Sequence, residues 1–181
     1  MRKILILITI SLLTLDCATV PVTGRKQLSL VSNSEIMPMS FQSYQAVLDS
    51  SRLSSNKEQA DMVKSVGVKI QKAVEEYMAQ NNWSDHLNGY EWEFNLIDED
   101  IVNAWCMPGG KVAFYTGIMP VCQDETGVAV VMGHEVAHAV ANHGAERMSQ
   151  GLVQQMGGVA LDVALSDKPG ETRQLFGTAY G

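Results

Sequence analysis

The stretch VVMGHEVAHAVANHG, residues 130–144, constrains this chain more than any other part of its sequence. Two histidines, His134 and His138, and one glutamate, Glu135, interrupt a run that is otherwise Val, Ala, Met and Gly. A helix that is apolar on all sides is normally buried, so we expect this one to be buried too. Unpartnered polar side chains are costly in such surroundings. The stretch therefore needs a partner that compensates its polar groups.

A metal ion between the two histidines meets that need. On an α-helix, a spacing of four residues places two side chains roughly 40° apart around the axis and one turn apart along it. His134 and His138 can therefore bind one ion, and Glu135 beside them can accept a proton from a water molecule. Zinc suits a nitrogen-rich site with an open position for water, and the pattern predicts peptide-bond hydrolysis. The alternative keeps both histidines as core residues that bond to backbone carbonyls.

A catalytic zinc site needs a third protein ligand, which the sequence does not identify. His143 follows His134 by nine residues, about 180° round a continuous helix, so it points away unless the helix breaks first. Glu146 would lie about 18 Å along the axis of such a helix from His134. Three later carboxylates remain open: Asp162, Asp167 and Glu171.

The charge and length of the chain narrow the possible functions. A length of 181 residues predicts one domain with a sizeable core. The formal net charge of −7 argues against a nucleic-acid partner, because phosphate binding needs an excess of Lys and Arg.

The first 16 residues are typical of an export signal. Arg2 and Lys3 precede the apolar stretch Ile4–Leu15, which is shorter than the roughly 20 residues that a membrane-spanning helix needs. Cys17 directly after this stretch predicts a lipid anchor on that cysteine, although Asp16 is larger than the residue usual before an acylated cysteine. The alternative is an ordinary cleaved signal with an incidental cysteine.

The domain organisation follows from this start. We expect a signal peptide over residues 1–16, an extended tether over 17–33 and one domain over 34–181. The other cysteines, Cys106 and Cys122, are predicted either to form a disulfide or to be buried free thiols.

Two capping boxes predict two helices ahead of the sheet. Ser32 with Glu35, or Ser34 as a rival cap, starts a helix that runs to about Leu48. Ser55 with Glu58 starts a longer helix. Apolar residues follow a three-or-four spacing along one face of this second helix: Val63, Val66, Ile70, Val74 and Tyr77.

The middle of the chain predicts strands. Apolar residues alternate with polar ones from Tyr90 to Leu96, as in a strand with one buried face. Pro108, Gly109 and Gly110 then divide two extended pieces at a hairpin or tight corner. Asp124 is a plausible N-cap for the helix of the opening stretch.

Together, NAWCMPGGKVAFYTGIM (103–119) and DETGVAVVMGHEVAHAVANHGAERMS (124–149) closely resemble peptidase family M48. That family includes HtpX, the mitochondrial OMA-type peptidases and bacterial lipoprotein peptidases of the BepA kind. CATVPVTGRKQLSLVS (17–32) resembles the mature start of the lipoprotein branch. The resemblance implies a gluzincin-like α+β fold, mostly helical with a small sheet ahead of the active helix. It also implies that His134 and His138 are zinc ligands and that Glu135 is the general base.

The resemblance carries two further expectations. Asn103, Ala104 and Trp105 match a motif near the cleft, where a strand pairs with extended substrate; the alternative is that they only pack the strand. The family's third ligand is a glutamate on a later helix, in an E-x-x-x-D type motif, and no such motif follows His138. We therefore expect the chain to be the N-terminal part of a longer protein, to lack the third zinc ligand and to be inactive alone.

These observations predict a zinc metalloendopeptidase that hydrolyses unfolded or misassembled proteins in envelope quality control. The expected location is the periplasmic side of a bacterial membrane, as an outer-membrane lipoprotein anchored through Cys17. An alternative function is a zinc-binding but proteolytically silent chaperone or assembly factor.

Overall fold

The computed structural model describes residues 17–20, 24–166 and 170. Most of these residues are in helices. The α-helices are α1 (Asn33–Ser50), α2 (Lys57–Gln80), α3 (Met119–Cys122), α4 (Glu125–Val140) and α5 (His143–Ala164). The strands are β1 (Cys17–Thr19), β2 (Lys26–Leu28), β3 (Glu93–Ile97), β4 (Ala104–Met107) and β5 (Lys111–Tyr115). Short 3-10 turns occupy Ser84–Leu87 and Thr116–Ile118.

A three-stranded sheet precedes α4 and has the order β3-β5-β4. The central strand β5 pairs parallel with β3 and antiparallel with β4. The predicted hairpin at residues 108–110 is confirmed, and Gly109 and Gly110 both have positive φ, a conformation that glycine adopts without steric cost. Strand β4 therefore lies at one edge of the sheet.

Alternating side chains give the sheet two buried faces. On one face Phe94, Val112 and Phe114 pack against α2 and α4, which carry the fully buried Val63 and Val128. On the other face Ile97, Ala113 and Trp105 pack around Tyr44 of α1. The Tyr44 hydroxyl donates to the Val112 carbonyl at 2.9 Å. The domain is thus a sheet between α1 on one side and α2 with α4 on the other.

The predicted helix starts are largely confirmed. Helix α1 begins after Ser32, whose backbone N–H donates to the Glu35 carboxylate at 3.0 Å, and it extends to Ser50, two residues past the expected end. Helix α2 starts where expected but with another cap. The cap is Asn56, which accepts from the Gln59 N–H at 3.2 Å, so the predicted Ser55 cap is wrong.

The apolar face of α2 is buried for only half of its length. Val63 and Val66 are 0% and 2% exposed, whereas Tyr77 is 43% exposed. Ile70 and Val74 line an apolar cavity of about 310 Å³ between α2 and α4. The prediction that the whole face is core is therefore wrong at its C-terminal end, where nothing among the described residues fills the groove.

Part of the predicted tether is a β-hairpin attached to α5. Strands β1 and β2 pair antiparallel, and the backbone N–H of Leu30 donates to the Ser149 hydroxyl at 2.9 Å. The predicted signal peptide over residues 1–16 lies outside the described residues. Within the described part of the chain, no helix is long and apolar enough to span a bilayer.

The predicted fold class is confirmed by this architecture. The chain is α+β, mostly helical, and its small sheet directly precedes the helix that carries His134 and His138.

Candidate metal centre

Helix α4 is fixed at its start and along one face. The Asp124 carboxylate accepts from the Gly127 N–H at 3.0 Å and caps the helix, as predicted. Val128, Met132 and Val136 are 0%, 0% and 1% exposed and hold the helix against the sheet and α2. This anchoring sets which side chains face outward.

The opposite side of α4 is open to solvent, which corrects the expectation that the helix is buried all round. His134 is exposed, Glu135 and His138 are half-buried, and Val130 is 69% exposed. The physical reason is that the main packing partners of α4 among the described elements, which are α2, α3, α5 and β4, leave this side of the helix uncovered. The two histidines therefore lie at a surface that water and a substrate can reach.

The two histidine rings converge on each other. The Nε2 atoms of His134 and His138 are 3.0 Å apart, and the ring planes are nearly perpendicular at 88°. Two nitrogen ligands of a tetrahedral zinc ion, each at 2.0–2.1 Å, lie about 3.3 Å apart. The observed separation is close to that value, so these two residues fit a zinc ion held between their Nε2 atoms.

Glu135 lies on the side of α4 that faces β4. Burial, and to a lesser extent the negative charge of Glu135, raise the pKa of the Cys106 thiol on β4 to about 12. Cys106 and Cys122 are both free thiols, which agrees with the second of the two alternatives for this pair. The sequence did not predict the proximity of Cys106 to Glu135, although β4 alternation puts Ala104 and Cys106 on the same face.

His143 is brought back to the site by a break between α4 and α5. Asn142 has φ 55° and ψ 30°, the left-handed conformation, so α4 ends before His143 and α5 leaves in a new direction. The Nδ1 atoms of His143 and His138 are 2.6 Å apart. The expectation that His143 points away applied to a continuous helix, and the helix is not continuous.

His143 does not complete the ligand set of an ion held by His134. It contacts Nδ1 of His138, whereas His134 contacts Nε2 on the other side of the same ring. The two nitrogens of an imidazole point in diverging directions, so one ion cannot accept both contacts. Partial burial lowers the pKa of His143, and the neighbouring His138 lowers it further.

Glu146 is engaged elsewhere. Its carboxylate accepts two hydrogen bonds from the Arg25 guanidinium, at 2.7 and 2.6 Å, and these hold the pKa of Glu146 below its ordinary value. With His138 and His143 it lines a polar cavity of about 260 Å³. The pairing attaches the loop between β1 and β2 to the first turn of α5.

The described residues contain no third ligand. Among residues 17–20, 24–166 and 170, no group of three or more His, Cys, Asp or Glu side chains could hold a metal ion. Asp162 lies on an exposed part of α5, and Asp167 and Glu171 lie outside the described residues. Asp167 and Glu171 therefore stay open as predicted candidates, whereas Asp162 belongs to no such group.

The residues predicted to contact substrate lie on or beside β4, but their side chains diverge. Ala104 is buried on the face of the sheet that packs against α4. Trp105 lies on the other face, edge-on to Tyr44 at 5.7 Å, and its Nε1–H donates to the Tyr115 hydroxyl at 3.2 Å. Asn103 is exposed just before the strand. The Trp105 side chain therefore packs against Tyr44, whereas the Ala104 side chain faces α4.

Comparison with known proteins gives a consistent result. The model of peptidase family M48 matches residues 65–177. The mitochondrial metalloendopeptidase OMA1 of Arabidopsis thaliana is 41% identical over 83 residues, which cover 46% of this chain and 17% of that protein. The human mitochondrial metalloendopeptidase OMA1 is 27% identical over 131 residues, covering 70% of this chain and 24% of that protein. The metalloprotease YcaL of Escherichia coli is 29% identical over 97 residues, covering 54% and 36%.

These relatives also correct one prediction and limit others. The chain spans between 17% and 36% of the length of the three relatives. The plant and human relatives are named as mitochondrial proteins, so the predicted location as an outer-membrane lipoprotein on the periplasmic side of a bacterial membrane is wrong. Acylation of Cys17 stays a prediction, because its side chain lies outside the described residues.

Proposed function

The chain belongs to peptidase family M48, and on that premise we propose that it provides the catalytic helix of a zinc-dependent metalloendopeptidase. One observation carries the proposal. The Nε2 atoms of His134 and His138 converge to 3.0 Å on the solvent-facing side of α4, with Glu135 next to them in the sequence. The relatives are named metalloendopeptidases or metalloproteases, which supports the same reaction here.

His134 and His138 would hold the zinc ion through Nε2. Neutral imidazole is a common zinc ligand, and one helical turn gives the two rings the required approach. When bound, zinc supplies Lewis-acid chemistry that polarises the scissile carbonyl and acidifies water. The buried face of α4 supports this role, because it keeps the backbone of both ligands fixed.

Glu135 would act as the general base. A carboxylate one residue after His134 lies about 100° round the helix, beside the ion without being one of its ligands. It would take a proton from the attacking water and return it to the leaving amine. The charge of Glu135 acts on Cys106 of the edge strand β4, which supports this role, since a substrate added to β4 would lie near the carboxylate.

Strand β4 would bind the substrate backbone. It is an edge strand, paired with β5 on one side and adjacent to α4. An extended peptide can add to such an edge through backbone hydrogen bonds, with Asn103 and Ala104 at the start of the strand. The packing of Trp105 against Tyr44 would hold the strand in position rather than contact the substrate.

Recognition of an extended backbone favours unfolded or misassembled proteins as substrates. A folded protein seldom presents a free strand, whereas an unfolded one offers extended segments of many sequences. The acidic charge of the chain gives no support to a nucleic-acid partner. We therefore propose protein quality control as the cellular role of this site.

The described residues contain no third zinc ligand, which favours an alternative function as a zinc-binding protein without proteolytic activity. A site with two histidine ligands can bind zinc weakly and lack hydrolytic activity, as in a silent chaperone or assembly factor. In the metalloendopeptidase proposal, the third ligand comes from a residue outside those described.

Cleavage of unfolded casein by the zinc-loaded protein tests the proposal. We expect the natural full-length protein to cleave casein, Glu135→Gln to abolish cleavage while zinc stays bound, and Glu125→Gln to leave cleavage intact. Glu125 is a suitable control because it lies on the same helix, exposed and paired with Lys69 at 2.8 Å. Bound zinc without cleavage in the wild-type protein would support the silent alternative, and cleavage by Glu135→Gln would refute the assigned base.

A further inference from the structure

His143 contacts the proposed zinc ligand His138 but has no role in the metalloendopeptidase proposal. Their Nδ1 atoms are 2.6 Å apart and their ring centroids 4.9 Å apart. A nitrogen-to-nitrogen distance this short requires one ring to donate a hydrogen and the other to accept it. The tautomers of the two rings are therefore coupled.

The direction of that hydrogen bond follows from the other side of the His138 ring. A neutral imidazole carries one hydrogen, on Nδ1 or on Nε2. If Nε2 of His138 is to offer its lone pair beside His134, the hydrogen of His138 must be on Nδ1. His143 must then accept through its own Nδ1 and carry its hydrogen on Nε2.

We propose that His143 is a positioning residue for His138, which accepts the Nδ1–H and so fixes the tautomer and orientation in which Nε2 faces His134. The inference rests on the proposed function, because it assigns the partner of a proposed zinc ligand. Histidine ligands in metal sites almost always donate their second N–H to a carboxylate, a carbonyl or water. Here an imidazole takes that place.

The first turn of α5 is built to hold His143 where it is. Ala145 is 3% exposed and packs in one apolar cluster with Ile36 and Met37 of α1. Ser149 is fully buried, accepts from the Leu30 N–H and donates to the Ala145 carbonyl at 2.7 Å.

The hairpin adds a further restraint on the same turn. Arg25, in the loop between β1 and β2, holds Glu146 through two hydrogen bonds. One side of α5 is therefore attached to α1 and to the hairpin, which leaves His143 little freedom to leave His138. This rigidity is what a positioning residue requires.

Two variants separate positioning from packing. His143→Asn keeps an acceptor, because the asparagine Oδ1 occupies nearly the same place as Nδ1 of histidine. His143→Leu removes the acceptor but keeps an apolar side chain of similar bulk. Both changes occur at the first residue of α5, so they share any effect on the helix start.

The first measurement is the ring tautomer in the metal-free protein at about pH 8, where histidines are neutral. The chain has four histidines, so the ring nitrogens of a histidine-labelled sample can be assigned by long-range nitrogen–proton NMR. We expect His138 to carry its hydrogen on Nδ1 in the wild type and in His143→Asn, but mainly on Nε2 in His143→Leu. A wild-type His138 with its hydrogen on Nε2 would overturn the inference, whether or not the leucine variant folds.

The second measurement is the zinc dissociation constant by competition with a chromophoric chelator. Removing a second partner of a metal ligand typically weakens binding 10–100-fold, so we expect about that loss in His143→Leu and a loss of only a few-fold in His143→Asn. Equal zinc affinity of the wild type and His143→Leu would overturn the inference. Failure of the wild type to bind zinc would instead refute the proposed function, and the tautomer measurement would still decide the role of His143.

Discussion

Replacement of Asn142 should disturb the site although this residue is not a proposed ligand. Asn142 has φ 55°, in the left-handed region, and ends the path of α4 before α5 begins. Its side-chain nitrogen lies 3.4 Å from Nε2 of His86. Asn142→Ala should destabilise this break, and Asn142→Gly should preserve it, because glycine adopts positive φ without the steric cost of a Cβ.

The size of the effect follows from these two features. Left-handed backbone costs an ordinary residue about 1–2 kcal/mol, a cost that glycine avoids and asparagine reduces. A long hydrogen bond to a partly buried histidine contributes about 0.5–1 kcal/mol, and both variants lose it. Alanine also favours the continuous helix in which residue 143 lies about 180° from residue 134. We therefore expect Asn142→Ala to be about 1–2 kcal/mol less stable than Asn142→Gly.

Thermal unfolding with NMR of the histidine rings checks this prediction. For a chain of this length, 1 kcal/mol shifts the Tm by about 2–4 °C, so the Tm of Asn142→Ala should lie roughly 2–8 °C below that of Asn142→Gly. The ring-to-ring contact between His138 and His143 should weaken only in the alanine variant. Equal Tm values, with the contact intact in both variants, would refute the argument that this break positions His143.

Three further predictions concern packing, charge and the thiol beside the site. A Cβ at Gly67 would overlap the ring of Phe94, because it would lie 2.7 Å from the Cδ2 atom of that ring. Gly67→Ala should therefore lower the free energy of unfolding measured in urea, whereas replacing an unhindered helix glycine with alanine would raise it by about 1 kcal/mol. The hydrogen bonds from Arg25 lower the pKa of Glu146 in the folded protein, so the stability that this pair adds is present above about pH 4.3 and is lost as the pH falls through the folded-state pKa of Glu146. The difference in Tm between the wild type and Arg25→Ala should therefore disappear below that pKa. A difference that persists in acid would contradict this prediction. With a pKa of about 12, native Cys106 should react with iodoacetamide at pH 8 roughly a thousandfold more slowly than in urea, as measured by mass spectrometry, and equal rates would show that the thiol is not buried.

Local signals explain the features that the sequence predicted. The capping residues Ser32 and Asp124 and the turn at residues 108–110 act through neighbouring backbone groups, so their patterns are complete within a few residues. The spacing of His134 and His138 is likewise local to one helical turn. These features could be predicted because no distant part of the chain decides them.

Features that depend on tertiary packing were missed. The open side of α4 could not be predicted, because apolar composition does not reveal which neighbouring elements are present to cover a helix. For Trp105 the sequence left substrate contact and strand packing both open, because the motif names the residue but not the face of the strand. Strand alternation places Trp105 on the face opposite to Ala104, where it packs against Tyr44.

The break before His143 had one usable signal. Asparagine is among the few residues that tolerate the left-handed conformation at a helix end, so Asn142 followed by a helix-favouring stretch could have indicated it. The partner of His143 could not have been predicted, because it depends on the angle at which α5 leaves.

X-ray absorption at the zinc edge tests the central claim most directly. The account predicts nitrogen ligands at about 2.0–2.1 Å, with the outer-shell signature of two imidazoles in the wild type and of one imidazole in either His134→Ala or His138→Ala. A zinc ion whose spectrum contains no imidazole, or the same number of imidazoles in all three proteins, would contradict the proposal that these two rings hold the metal.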